Sequence, residues 1–286
     1  MALNYDKIMA YDPGEKTVQY AARDCIIYAL GIGLGMDPMD AGQLKFVYEK
    51  RLNAFPTMAG VLGWIGRTLS TRPEFGVDER MVVAAEQRIT LHRPLAAEGT
   101  LHSRTRVKEV IDKGPGGGAI IQQERTLTAE DGTPVATIEN STFARGHGGF
   151  GGKVTASPEP HRVPEGTPQL TCDLPTPPNL AILYRLNGDE NPLHIDPERA
   201  KVAGFPRPIL HGLATYGVAA HAVLRTVGQY DAARFGSMEA RFVRPVFPGD
   251  IIRTEMWVNG EEVSFRCRVP DRDVVVLDHG LARIRA

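Results

Sequence analysis

The feature that most limits how this chain can fold is an internal echo. Ile27-Tyr28-Ala29-Leu30-Gly31 resembles Leu183-Tyr184-Arg185-Leu186-Asn187. Arg93-Pro94-Leu95-Ala96-Ala97-Glu98-Gly99-Thr100-Leu101 resembles Arg244-Pro245-Val246-Phe247-Pro248-Gly249-Asp250-Ile251-Ile252. Tyr28 to Tyr184 is 156 positions and Arg93 to Arg244 is 151, so two matches recur in one order at nearly one offset. That is the mark of a duplicated unit. Between the copies, Gly146 to Pro178 is rich in Gly and Pro, which rules out a continuous helix or a central strand there. The expected organisation is a first repeat over 1–150, a connection over 151–178 and a second repeat over 179–286.

Each copy turns β-like after its Arg-Pro element. Leu101 to Val110, Ala119 to Thr128 and Val135 to Ala144 are rich in β-branched residues and alternate with period two. Ile251 to Val258, Val263 to Val269 and Val274 to Ile284 repeat the rhythm, with Asn259-Gly260 as a hairpin signal. Helical spacing predicts one central helix per copy, from about Met58 to Leu69 and from about Leu210 to Val227. A helix followed by an antiparallel sheet is an α+β layer plan. A curved sheet wrapped round that helix is the hot-dog plan, and two copies predict a double hot dog.

With 286 residues the chain is long enough for a substantial core. Its 33 Lys and Arg against 34 Asp and Glu leave a net charge of -1, so no bulk field favours nucleic acid or an anionic membrane. Cys25, Cys172 and Cys267 are isolated, without the spacing of a zinc site or disulfide framework. Dispersed thiols fit a reducing compartment. No signal peptide is visible at Met1-Ala2-Leu3-Asn4-Tyr5-Asp6, and Arg283-Ile284-Arg285-Ala286 is not a peroxisomal tripeptide. The expectation is a cytoplasmic protein.

Chemistry concentrates between Asn187 and His211. Asn187-Gly188-Asp189 and Asn191-Pro192 are turn signals, placing Asp189 and His194 on an irregular segment. A carboxylate and an imidazole five positions apart on a loop can meet as a general acid/base pair, with Asn191 between them to orient a water. Gly212 then opens the long helix. A helix start presents unpaired N–H groups and a positive dipole end, which can stabilise an oxyanion. The residues leave two other readings open: Asp189 and His194 as turn and loop residues, or a metal held by Asp189, His194, Asp196 and His211.

Tyr184-Arg185-Leu186-Asn187-Gly188-Asp189-Glu190-Asn191-Pro192-Leu193-His194-Ile195-Asp196-Pro197, with Ala203-Gly204-Phe205 and Pro208-Ile209-Leu210-His211-Gly212-Leu213, resembles the hydratase 2 motif of MaoC-like (R)-specific enoyl-CoA hydratases. The likeness is strongest to the hydratase domain of the peroxisomal multifunctional enzyme type 2. It extends over nearly the whole chain, through Phe46-Val47-Tyr48-Glu49, Pro56-Thr57, Leu91-His92-Arg93-Pro94-Leu95, Gly148-Gly149-Phe150-Gly151-Gly152-Lys153 and Ala240-Arg241-Phe242. It implies reversible hydration of a trans-2-enoyl-CoA to an (R)-3-hydroxyacyl-CoA. Asp189 and His194 are then the acid/base pair, either with Asp189 as base and His194 as acid or with the roles shared, and inverted for dehydration; Asn191 is an orienting residue and the Gly212 N–H the thioester clamp. It implies substrate contacts from Ala84, Ala85, Lys113, Asp189, Glu190, Asn191, Pro192, Leu193, His194, Gly212 and Phe242, and a homodimer. Read without the family, Lys113 is a solvated turn lysine and Phe242 a core phenylalanine. Hydration moves no hydride or electrons, so no metal or separate cofactor is expected; CoA enters as part of the substrate.

The first repeat departs from the motif, with Gly31-Ile32-Gly33 where the second has Asn187-Gly188-Asp189. The resemblance implies that this copy accommodates the acyl chain. Gly31, Gly33, Gly35 and Gly60 then mean either space or close packing. Gly146-His147-Gly148-Gly149-Phe150-Gly151 formally satisfies GxGxxG, but prolines follow it instead of a helix, so a dinucleotide site is not expected. No GxSxG supports serine hydrolysis. Two rivals remain: an acyl-CoA thioesterase on the same fold, and a non-catalytic acyl-CoA-binding partner subunit.

Overall fold

The computed structural model describes residues 3–152 and 159–286; Lys153 to Pro158 lie outside the described residues. Ten strands form one antiparallel sheet. The first five are β1 (Glu15–Tyr20), β2 (Val82–Leu91), β3 (Gly99–Asp112), β4 (Gly118–Ala129) and β5 (Pro134–Arg145). The second five are β6 (Leu170–Pro175), β7 (Phe235–Phe242), β8 (Ile251–Asn259), β9 (Glu262–Val269) and β10 (Val274–Ile284). From one outer edge the order is β1-β3-β4-β5-β2, and from the other it is β6-β8-β9-β10-β7. These are the same permutation of five strands, and β2 pairs with β7 to close the two sets into one sheet. The duplication read from two short matches is thus carried by the whole topology. The equivalent tyrosines, Tyr28 and Tyr184, are buried with ring centroids 6.1 Å apart. Both Arg-Pro elements leave the strand at the joint, β2 or β7.

Alternation builds the sheet. In β9, Val263, Phe265, Cys267 and Val269 are buried and the residues between them are not. Successive side chains of a strand point to opposite faces, so this pattern has one face to give to a core. That core surrounds the helix Gly212–Thr226, whose residues from Ala214 to Leu224 are all buried. A helix apolar on every side needs such a wrapped position. Gly217 lets the first repeat approach it, because a Cβ there would stand 2.4 Å from Ile32 Cγ2. The architecture is the expected double hot dog, but with one long central helix and not two.

The helix expected from Met58 to Leu69 is absent. The chain instead makes a 3-10 turn, Pro56–Gly60, and resumes helix only at Thr68–Thr71. Gly63 and Gly66 explain this. They take φ of +66° and +72°, left-handed values that end a right-handed helix. Met58, Ala59 and Leu62 stay in the core, carried by irregular chain. The small residues of this repeat are sites of close packing. Ideal Cβ atoms on Gly31 and Gly60 would lie 3.2 Å from Tyr184 and from Ile89 respectively. The stretch read as a connection also supplies β6, at the sheet edge, where Pro175 is tolerated as its last residue.

Candidate active site

The segment carrying Asp189 is shaped by short local bonds. A 3-10 turn, Arg185–Asn187, ends at Gly188, whose φ of +104° swings the chain outward. Asp189 then accepts the Asn191 N–H at 3.2 Å, an Asx turn. Asn191 accepts the Leu193 N–H at 3.2 Å and so caps the 3-10 turn Pro192–His194. These bonds turn the sequence Asp-x-Asn-Pro-x-His into a fixed bend that brings both ends to one side. Asp196, a ligand in the metal reading, instead caps the helix Pro197–Val202 by accepting from Glu198 and Arg199.

A carboxylate oxygen of Asp189, one ring nitrogen of His194 and one of His211 lie within 4.8 Å of one another. Two hydrogen bonds of about 2.8 Å meeting at one water span roughly 4.6 Å, the order of that separation. His194 Nδ1 stands 2.9 Å from the Ile209 carbonyl. A carbonyl can only accept, so Nδ1 carries the hydrogen and Nε2 of the neutral ring is bare. Burial pushes the His194 imidazole below its ordinary range; Asp189 and the Ile209 bond pull it up, and Arg67 pushes it down. The resting ring is neutral. His211 is pushed down to about 3, by burial first and then by His194.

The metal reading meets a geometric obstacle. The His194 and His211 rings are stacked, centroids 3.8 Å apart and 30° between planes. Imidazole lone pairs lie in the ring plane, so stacked rings face one another and do not aim both lone pairs at one ion.

The helix start completes the site. His211 is the residue before the helix, and Gly212 is its first residue. The second Arg-Pro element pins this approach, because the Leu210 N–H donates to the Val246 carbonyl at 2.7 Å. Phe242, half-buried at the end of β7, packs on Gly212; a Cβ on Gly212 would meet its ring at 3.2 Å. The β2–β7 ladder runs from Glu86↔Arg241 to Thr90↔Ser237, ending one residue short of Ala85 and Phe242. Ala84 and Ala85 sit at a β-bulge of β2. Phe242 and Gly212 form one strip beside the helix start. Asp189, Asn191, Pro192, Leu193, Gly212 and Phe242 are half-buried and Glu190 is exposed, so the strip opens to solvent. Lys113 is exposed in the β3–β4 turn. The register from Asp112 through Ala119 and Ala144 to Val82 puts it at the same sheet end, three strands from β2, or roughly 14 Å.

The Gly-rich loop binds a carboxylate of its own chain. Asp112 accepts from the Gly149 N–H at 2.6 Å and the Gly151 N–H at 3.0 Å. Its amides are used to tie the loop to the β3–β4 turn, in keeping with the rejected dinucleotide reading. His211, named from the residues only as a possible metal ligand, and Arg67, not named at all, are the further neighbours of the pair. The His directly before Gly212 was a signal for the first; nothing local marks the second.

Comparison with known proteins places the whole chain beside a set of relatives. The MaoC like domain matches residues 158–278, and the MFE-2 hydratase 2 N-terminal domain matches residues 18–146. Peroxisomal enoyl-CoA hydratase 2 of Arabidopsis thaliana is 37% identical, the match covering 96% of this chain and 93% of that protein. The mouse (Mus musculus) peroxisomal multifunctional enzyme type 2 is 35% identical over 91% of this chain and 36% of its own length. A MaoC-like dehydratase from Phytophthora capsici superposes with a TM-score of 0.87 at 34% identity, covering 99% of this chain and 98% of that one.

Proposed function

Since the chain belongs to the MaoC-like hydratase 2 family, we propose that it catalyses the reversible hydration of a trans-2-enoyl-CoA to the (R)-3-hydroxyacyl-CoA, a reaction of the β-oxidation type. The observation that carries the reading is that an Asp189 carboxylate oxygen and a His194 ring nitrogen lie within 4.8 Å of one another beside the Gly212 helix start. The thioester carbonyl accepts the Gly212 N–H. That draws electron density from the conjugated double bond and makes C3 electrophilic. Water held between Asp189 and His194 adds its oxygen to C3.

The hydrogen bonds refine the proton's route. A neutral His194 with hydrogen on Nδ1 has none on Nε2 to give. It cannot act as acid until it has first received a proton. The proton reaching C2 is therefore the water's own, taken up by the Asp189/His194 pair and returned to the adjacent carbon. Of the two divisions left open by the sequence, this favours the shared one, with Asp189 and His194 acting as one proton shuttle. Asp189 stabilises the imidazolium while it lasts. Asn191 acts by holding the 3-10 turn under His194. Ala84, Ala85, Lys113 and Phe242 are proposed to line the CoA thioester. No metal, flavin or nicotinamide takes part in these steps.

A homodimer and a cytoplasmic setting belong to the same proposal. The compartment rests on three free, buried cysteines, Cys25, Cys172 and Cys267. Among the described residues no helix is long and apolar enough to cross a membrane. Light scattering and imaging of the tagged full chain test these two points.

The reaction is tested on a panel of trans-2-enoyl-CoA thioesters by following two signals at once, the conjugated enoyl absorbance and free thiol. Loss of enoyl absorbance with the thioester intact, giving the (R) product on chiral analysis, is expected. Thiol release instead means a thioesterase, and no turnover on any chain length means a binding subunit.

A further inference from the structure

We infer that His211 is the positioning residue that locks the acid/base pair to the thioester-binding helix start. Three contacts meet in this one side chain. Its Nε2–H donates to the main-chain carbonyl of Asp189 at 3.1 Å, across 22 positions of sequence. Its ring is the surface on which His194 stacks, at 3.8 Å. Its main chain runs directly into Gly212, the first residue of the helix. Base, shuttle and carbonyl clamp are thus held in one frame.

The chemistry of the residue supports a positioning role over simple filling. His211 is fully buried, and its Nδ1 has no hydrogen-bond partner. A buried polar atom left unpaired costs stability, because it loses its hydration without a replacement bond. An apolar residue would fill the same volume without that cost, so the imidazole is held here for what Nε2–H does. What it does is restrain Asp189, which otherwise rides on an irregular loop after a left-handed glycine. Tyr184, at the foot of that loop, also packs on His211, with ring centroids 5.0 Å apart. His211 stays neutral, so it adds no charge to the shuttle beside it.

The test rests on the hydration reading for its assay and uses His211→Phe and His211→Gln. Phe keeps a flat face for His194 but cannot donate. Gln places an amide N–H near the position of Nε2. A misplacement of about 1 Å can cost on the order of 10²-fold in rate, so His211→Phe should lose about that much in kcat with KM changed less than about threefold. His211→Gln should recover at least about tenfold of the loss. A second readout is the acid limb of kcat/KM, set by protonation of His194. The charged and titratable groups facing His194 are Asp189, Arg67 and His211, and Arg185 acts on His211. Releasing Asp189 weakens its upward pull on His194, so the limb should move to lower pH in His211→Phe. Partial unfolding lowers kcat but does not move that limb. If His211→Phe does not fold, His211→Met, which fills without donating, gives the same contrast with Gln. A Phe or Met variant near wild-type kcat, or equal losses in donor and non-donor variants with the limb unmoved, overturns the assignment. Failure of the hydration reading looks different, since wild-type protein would then consume no enoyl thioester.

Discussion

The two repeats share a strand order and differ in what they wrap. In the second, the sheet encloses a 15-residue helix whose start faces Asp189 and His194. In the first, the equivalent space holds a five-residue 3-10 turn, Pro56–Gly60, and irregular chain. Where the second repeat places a half-buried Asp189, the first places a buried Gly33, beside Ile32, which is fully buried against the helix of the second repeat. One copy keeps polar groups at a water-accessible helix start; the other has given that position to packing. The lesson is that duplication here conserves the sheet, which is the joint, and frees the contents.

Substitutions can break or sharpen this contrast. The largest effect is expected in the second repeat. His194→Gln should lower kcat by on the order of 10²–10⁴ with little change in unfolding midpoint, because general acid/base groups carry that much rate. Ile32→Val in the first repeat should do the reverse. It should cost about 0.5–1.5 kcal/mol in urea unfolding and leave kcat per folded molecule unchanged. Next is the seam between the repeats. Gly217→Ala would put a methyl 2.4 Å from Ile32 Cγ2, so it should destabilise by about 1–3 kcal/mol in urea unfolding.

Acid should expose a further difference, since the depressed histidines His194, His211 and His221 all lie in the second repeat. His211 is held down to about 3 and His221 to about 4, each from an ordinary 6.5. Below pH 6.5 the unfolded chain takes up protons that the folded one refuses. Stability should therefore fall from pH 6.5 toward pH 3, and His221→Phe should shallow the slope of unfolding free energy against pH. The smallest effect belongs to the Glu86–Arg241 ion pair across the β2–β7 joint. Both side chains are about a third exposed, so Arg241→Gln should change the unfolding free energy by less than about 1 kcal/mol. A larger loss would mean that the joint is held by charge more than by its ladder.

Much of this arrangement was readable in the residues because it rests on local pattern. The six strands after the Arg-Pro elements alternate plainly and appear within a few residues of their expected ends. β2 does not announce itself: it buries Gln87, exposes Ala84 and Arg88, and carries a bulge. Met58 to Leu69 has helical apolar spacing, and only the left-handed glycines inside it decide otherwise. Asp189 and His194 stand out because a tight bend brings near neighbours together. The tie from His211 to the Asp189 carbonyl leaves no such trace, since a side-chain bond to main chain is blind to the partner's side chain. Phe242 needed the fold as well, because its place against Gly212 depends on how β7 meets the helix.

The account stands most directly on Asp189. Steady-state hydration of an accepted enoyl-CoA by Asp189→Asn, with folding checked by urea unfolding, is the decisive measurement. A folded variant with kcat reduced by on the order of 10²–10⁴ is the expected result. A folded variant that still hydrates at near the wild-type rate would contradict the claim that this carboxylate and His194 share the reacting water.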